Sequence, residues 1–184
     1  MRINFVTSNP GKVREALAAL QPLGHEVVQV KMPYPEVQAD TLDAVVCSAL
    51  DWLDSKVEMP FFIDDSGLFI NALGGFPGVY SSHAFKTLGC DGILRLLHGI
   101  EERAARFECC VGLKSPRDRV ILKGTVEGEI AHEPRGSGGF GLDPIFVPSG
   151  WGETFAEMDT GTKNSISHRG RAFSALRDYL DGMR

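Results

Sequence analysis

Apolar and polar positions along the chain switch repeatedly between a strand-like and a helix-like spacing. Arg2 to Val6 is a short apolar run that reads as a buried strand, and from Lys12 to Leu20 the residues Val13, Leu17 and Leu20 fall on one helical face. Val27 to Val30 predicts a second strand, and the two prolines of Met32-Pro33-Tyr34-Pro35-Glu36 predict an extended or looped segment. Leu42, Val45, Val46, Ala49, Leu50 and Leu53 recur at helical spacing behind Thr41, a suitable N-cap. Phe61 to Ile63 predicts a third strand, ending at Asp64-Asp65-Ser66-Gly67. A Gly/Pro-rich loop follows at Gly74 to Gly78, then a short helix around Ile93 to Leu97. Arg106 to Leu113 and Arg119 to Val126 predict an antiparallel pair turned at Ser115-Pro116-Arg117-Asp118 and extended by Glu129 to His132. Pro144 to Val147 predicts a strand, and Lys163 to Leu180 one terminal helix with Ala172, Leu176 and Leu180 along a face. Interleaved helices and strands followed by hairpins predict an α/β protein with a mixed sheet, as a single domain over 1–184.

With 184 residues and 43% hydrophobic content, the chain can bury a sizeable core. A net charge of −5 argues against broad nucleic-acid binding, which needs a basic surface, but leaves room for a small polyanion held by a few cations. No run approaches a membrane span, and no basic region leads into an apolar core at the N-terminus. The four cysteines, Cys47, Cys90, Cys109 and Cys110, form no Cys-x-x-Cys, so they predict free thiols in a reducing cytoplasm.

Four segments carry candidate chemistry. In Thr7-Ser8-Asn9-Pro10-Gly11-Lys12 a strand breaks into a small polar turn and opens a helix, leaving backbone N–H groups at a helix start that favours an anion. Lys12 stands where the helix dipole prefers an acid, which suggests a negative ligand; a plain cap with Lys12 in solvent is the alternative. The spacing is neither the Walker nor the dinucleotide glycine pattern. Asp64-Asp65-Ser66-Gly67 follows a strand, where α/β ligands collect, and paired carboxylates there suit Mg²⁺ or a solvated turn. Gly136 to Asp143 is a glycine-rich loop holding Phe140, which either offers a flat face to a base or plugs the loop into the core. Lys163 to Arg171 gathers cations, with Arg169 and His168 as donors to a carbonyl or phosphate or as a solvated basic face.

Taken in order, these segments resemble the inosine/xanthosine triphosphate pyrophosphatase family. The likeness rests on Thr7 to Lys12, Pro35-Glu36, Asp65-Ser66-Gly67-Leu68, Gly75-Phe76-Pro77-Gly78-Val79-Tyr80-Ser81, Gly139 to Pro144, Phe155-Ala156-Glu157-Met158 and Ser167-His168-Arg169-Gly170. It implies an elongated mixed β-sheet flanked by helices, two lobes enclosing a nucleotide cleft, and a homodimer. It also implies Mg²⁺-dependent hydrolysis of ITP, dITP and XTP to the monophosphate and pyrophosphate. By the same resemblance Thr7, Ser8, Asn9, Pro10, Gly11 and Lys12 hold the phosphates, and Glu36 and Asp65 bind the metal. Asp65 is the base. Ser66, Phe140, Gly141, Leu142, Asp143, Lys163, His168 and Arg169 contact the nucleotide. The chain departs from the family pattern at Asp64, often Glu, at Leu142, often aromatic, and at His83, often Arg. A related pyrophosphatase acting on modified pyrimidine or canonical triphosphates, and a non-catalytic nucleotide-binding protein, remain the rival readings.

Overall fold

The computed structural model describes residues 1–182. In chain order its elements are β1 (Arg2–Val6), α1 (Pro10–Leu20), β2 (Glu26–Val30), α2 (Leu42–Leu53), β3 (Phe61–Ile70), β4 (Pro77–Gly78), α3 (Ser81–Leu96), β5 (Ala104–Lys114), β6 (Arg119–Ile130), β7 (Phe146–Pro148), α4 (Thr160–Ile166) and α5 (His168–Gly182). One seven-stranded sheet runs β2-β1-β3-β5-β6-β7, with β4 paired to β3. β1 is parallel to β2 and β3, and every other pairing is antiparallel, so the mixed sheet expected from the sequence is present.

Most elements start where local chemistry says they should. Asn9 caps α1, Pro10 occupies its first turn, and Thr41 caps α2 through Ala44 N. Four expectations change. β3 does not stop at Ile63: its ladder with β5 continues from Phe61↔Lys114 to Ile70↔Ala105, so Asp64 to Gly67 lie inside the strand. The terminal helix is two helices, because Ser167 is extended (ψ 159°) and its Oγ accepts from Gly170 N at the start of α5. The short helix near Ile93 belongs to the longer α3, which bends at Gly89. Pro144 and Ile145 sit in a 3-10 turn before β7.

Three apolar clusters explain why β3 turns polar midway. Phe61, Phe62 and Ile63 join the two clusters under α1, α2 and α5, whereas Leu68 and Ile70 join a third with α3, Phe107, Phe146 and Phe155. β5 divides the same way, with Cys109 to Leu113 on one side and Ala105 and Phe107 on the other. Asp64, Asp65, Ser66 and Gly67 cross the seam between these cores. Polar groups are placed there without breaking either one.

Candidate active site

Successive side chains on a strand face opposite ways, and at the seam this separates the two aspartates. Asp64 turns inward, and its side chain is fully buried. Its Oδ2 accepts from Arg169 Nε at 2.9 Å and lies 3.9 Å from the Cys109 thiol. Its Oδ1 lies 3.2 Å from the Lys12 ammonium, which also donates to the Asp64 carbonyl at 3.0 Å. Each carboxylate oxygen thereby faces a protein cation, and the side chain is closed to solvent.

Asp64 is one link of a continuous buried ion chain. Arg169 Nη1 donates to Glu15 Oε2 at 2.7 Å, Lys163 Nζ donates to Glu15 Oε1 at 3.0 Å, and the same ammonium donates to Asp143 Oδ2 at 2.7 Å. Lys12, Arg169 and Lys163 thus alternate with Asp64, Glu15 and Asp143, three charges of each sign. Burial opposes the charge on Asp64 and Glu15, but Lys12 and Arg169 hold the first carboxyl below its ordinary value, and Arg169 and Lys163 the second. At Asp143 burial outweighs Lys163, and the carboxyl is pushed up. Glu15 escaped the sequence reading because a lone acid between apolar helical positions looks like a solvent-facing residue. The signal available was its place one turn beyond Lys12.

Arg169 can enter this chain because β6 lets the start of α5 come close. A Cβ on Gly124 would stand 2.1 Å from the His168 carbonyl oxygen. Arg169 Nη2 donates to Ser66 Oγ at 2.9 Å, so all three guanidinium nitrogens are engaged. His168 is buried and stacked on Phe107, with ring centroids 4.5 Å apart. Burial, then Arg169, Lys163 and Lys12, hold His168 neutral, well below its ordinary value of 6.5.

Asp65 faces the other way and is only partly buried. Its Oδ1 accepts from Ser66 N at 2.9 Å. Burial pushes its carboxyl up to about 6; Lys12 opposes this, and the Asp64 and Glu36 carboxylates add to it. The same three carboxylates, after burial, raise the Tyr34 phenol, so the Pro33-Tyr34-Pro35-Glu36 loop lies over this end of the seam. Glu36 is exposed. Among the described residues neither Asp65 nor Glu36 has an ion pair, and no group of three ligating side chains is preassembled. Two uncompensated carboxylates fit a hard divalent cation that takes its remaining ligands from water and phosphate, as Mg²⁺ does.

The loop before α1 is more self-contained than expected. Asn9 Oδ1 accepts from Gly11 N and Lys12 N, Thr7 Oγ1 accepts from Asn9 N, and Gln29 Nε2 donates to Thr7 O. The helix-start amides are therefore capped, and Lys12 carries the anion-attracting charge. Ser8 and Pro10 are exposed beside it. Phe140 lies under two cations, 4.8 Å from Lys163 Nζ and 5.2 Å from Arg169 Cζ, and its backbone N donates to Asp143 Oδ2. Leu142 packs in the core, and the Gly141 carbonyl lies 3.7 Å from the Cys90 thiol. The structure brings Lys12, Ser66, Phe140, Asp143, Lys163 and Arg169 together and sets Asp65 and Glu36 at one edge.

Comparison with known proteins agrees with the fold. The Ham1 family profile matches residues 3–179. A dITP/XTP pyrophosphatase of Thermococcus kodakarensis is 55% identical over 180 residues, 98% of this chain and 97% of that protein. One from Pyrococcus horikoshii is 49% identical over 180 residues, with the same coverage. The solved structure of the Staphylococcus aureus Ham1 protein superposes with a TM-score of 0.86 at 27% identity, covering 100% of both chains. A HAM1 protein from Coxiella burnetii gives 0.85 at 32% identity, covering 99% of both.

Proposed function

The chain belongs to the Ham1 family, and we propose that it hydrolyses deaminated purine nucleoside triphosphates, dITP, ITP and XTP, at the α–β anhydride. The products are the monophosphate and pyrophosphate. The observation that carries this reading is the ion chain that ties Lys12, at the phosphate loop, to Arg169, beside the Phe140 loop, with Asp65 next to it.

Asp65 accepts the proton of the attacking water through the oxygen not held by Ser66 N. A carboxyl near pH 6 is ionised at neutral pH and still basic enough for that transfer. Lys12 meets the charge that grows on the leaving pyrophosphate. Asp65 and Glu36 are the residues that would hold Mg²⁺, which supplies charge neutralisation at the phosphates when bound. Rejection of adenine falls to Arg169, while guanine, which shares the C6 carbonyl, has to be refused at C2. A guanidinium has five N–H donors; three are engaged here, and two remain to donate to the purine C6 carbonyl. An amino group at C6 leaves them unpaired, at a cost of about 1–3 kcal/mol.

The exposed apolar side chains of Phe76, Tyr80, Phe85 and Leu88 support a homodimer as the working unit. Four unpaired cysteines support a cytoplasmic setting. The test is pyrophosphate release from dITP, XTP, dATP and dGTP, with and without Mg²⁺. Fast release from dITP and XTP alone upholds the reading. Equal rates on dATP overturn it.

A further inference from the structure

Among the described residues Asp64 alone is paired to both Lys12 and Arg169. The Lys12 side chain is 17% exposed, whereas those of Asp64 and Arg169 are 0% and 4% exposed. The outer cation can therefore be drawn away by a ligand while the carboxylate stays closed to water. The geometry of Lys12 sharpens the point, since Oδ1 of Asp64 has the ammonium at 3.2 Å without a well-formed hydrogen bond, while Oδ2 holds Arg169 Nε at 2.9 Å.

We propose that Asp64 is a positioning residue that couples phosphate binding at Lys12 to base reading at Arg169. This rests on the pyrophosphatase reading and extends it to how that site discriminates. A phosphate chain draws Lys12 off Asp64. The buried carboxylate cannot replace that partner with water, so it pulls harder on Arg169. The guanidinium, also tied to Glu15 and Ser66, is then fixed with its two unengaged N–H groups set for the purine. Because coupling is reciprocal, the right base tightens the phosphate end by the same factor. A base is thus read more stringently on a triphosphate than on a monophosphate. Asp64 touches neither substrate nor metal in this scheme.

The test is the ¹⁵N resonance of Arg169 Nε–H in the full chain, assigned by its loss in Arg169→Lys, while inorganic pyrophosphate is added. The wild type is expected to show shifts in the Thr7 and Lys12 amides and in Arg169 Nε–H. In Asp64→Asn the amides are expected to shift while Arg169 stays still. If pyrophosphate moves neither set, phosphate binding at Lys12 and the coupling both fall. Moved amides with an unmoved wild-type Arg169 overturn the coupling alone, and an Arg169 that still shifts in Asp64→Asn overturns the assignment to Asp64. Should Asp64→Asn not fold, Asp64→Glu keeps the charge and lengthens its reach. It is expected to keep the Arg169 Nε–H shift on pyrophosphate addition, since the coupling needs the carboxylate, and an Arg169 that stays still in it counts against the proposal.

Discussion

A Cβ placed on Gly11 would stand 2.7 Å from both Cδ1 and Cε1 of Phe140. The loop entering α1 and the glycine-rich loop after β6 therefore meet where one residue has no side chain. Gly11 lies in the first turn of α1, where alanine favours the helix by roughly 0.8–1 kcal/mol. Gly11→Ala should leave global stability within about 1 kcal/mol by urea unfolding, since helix gain and ring displacement offset each other. It should push Phe140 off the Lys163 and Arg169 cations and raise KM for dITP about tenfold with kcat little changed. A wild-type KM would show that the ring position does not matter for binding.

Glu15 holds Lys163 through one oxygen and Arg169 through the other. Glu15→Gln leaves two buried cations short of a partner. Breaking one side of a buried pair typically costs about 3–5 kcal/mol. The urea midpoint should fall accordingly at an unchanged m-value, and kcat/KM should drop with it as Arg169 loses its anchor. A midpoint within error of wild type would mean that Asp64 and Asp143 alone hold the chain together.

The sequence made the sheet's outline and most of the site legible, because both rest on local signals. Thr41 and its helical spacing, the Ser115 to Asp118 turn and the Lys12 position each announce themselves within a few residues. What was hidden depends on distant partners. Asp64 to Gly67 look like a turn after a strand until β5 is seen to pair with them to Ile70↔Ala105. The break at Ser167 is invisible because apolar spacing runs through it, and it exists to insert His168 and Arg169 beside Gly124. Glu15 reads as a surface acid until the cations that bury it, 148 and 154 residues later, are in place.

Asp65 trades stability for function. Its native carboxyl titrates near pH 6 against an ordinary 3.8, so the native state holds a proton that the unfolded chain has released, and stability falls as pH rises through that window. The shift corresponds to a loss of about 1–3 kcal/mol, the lower part of the range being the better guide for a partly exposed group. In metal-free buffer Asp65→Asn should melt several degrees above wild type at pH 8, at roughly 2–4 °C per kcal/mol, and at the same temperature near pH 4. The variant should also lose turnover on dITP. A lower melting temperature at pH 8 would show that Asp65 carries a stabilising contact that outweighs the cost of burying its charge.

Glu36 lies exposed on the loop over the seam and makes no ion pair among the described residues, so removing its charge should cost the fold nothing measurable. Its negative charge reaches Asp65 and adds to the repulsion there. If both carboxylates serve one cation, Glu36→Gln should raise the Mg²⁺ concentration for half-maximal activity about tenfold or more, with the melting temperature in metal-free buffer unchanged near pH 4 and no lower than wild type at pH 8. It should also lower the Asp65 pKa, because one of the two raising carboxylates is gone. The two readouts oppose each other usefully: a weaker metal site alongside a more easily ionised Asp65 identifies Glu36 as a ligand. An unchanged Mg²⁺ requirement, measured by pyrophosphate release and by isothermal titration with the ion alone, would assign it a loop-positioning role instead.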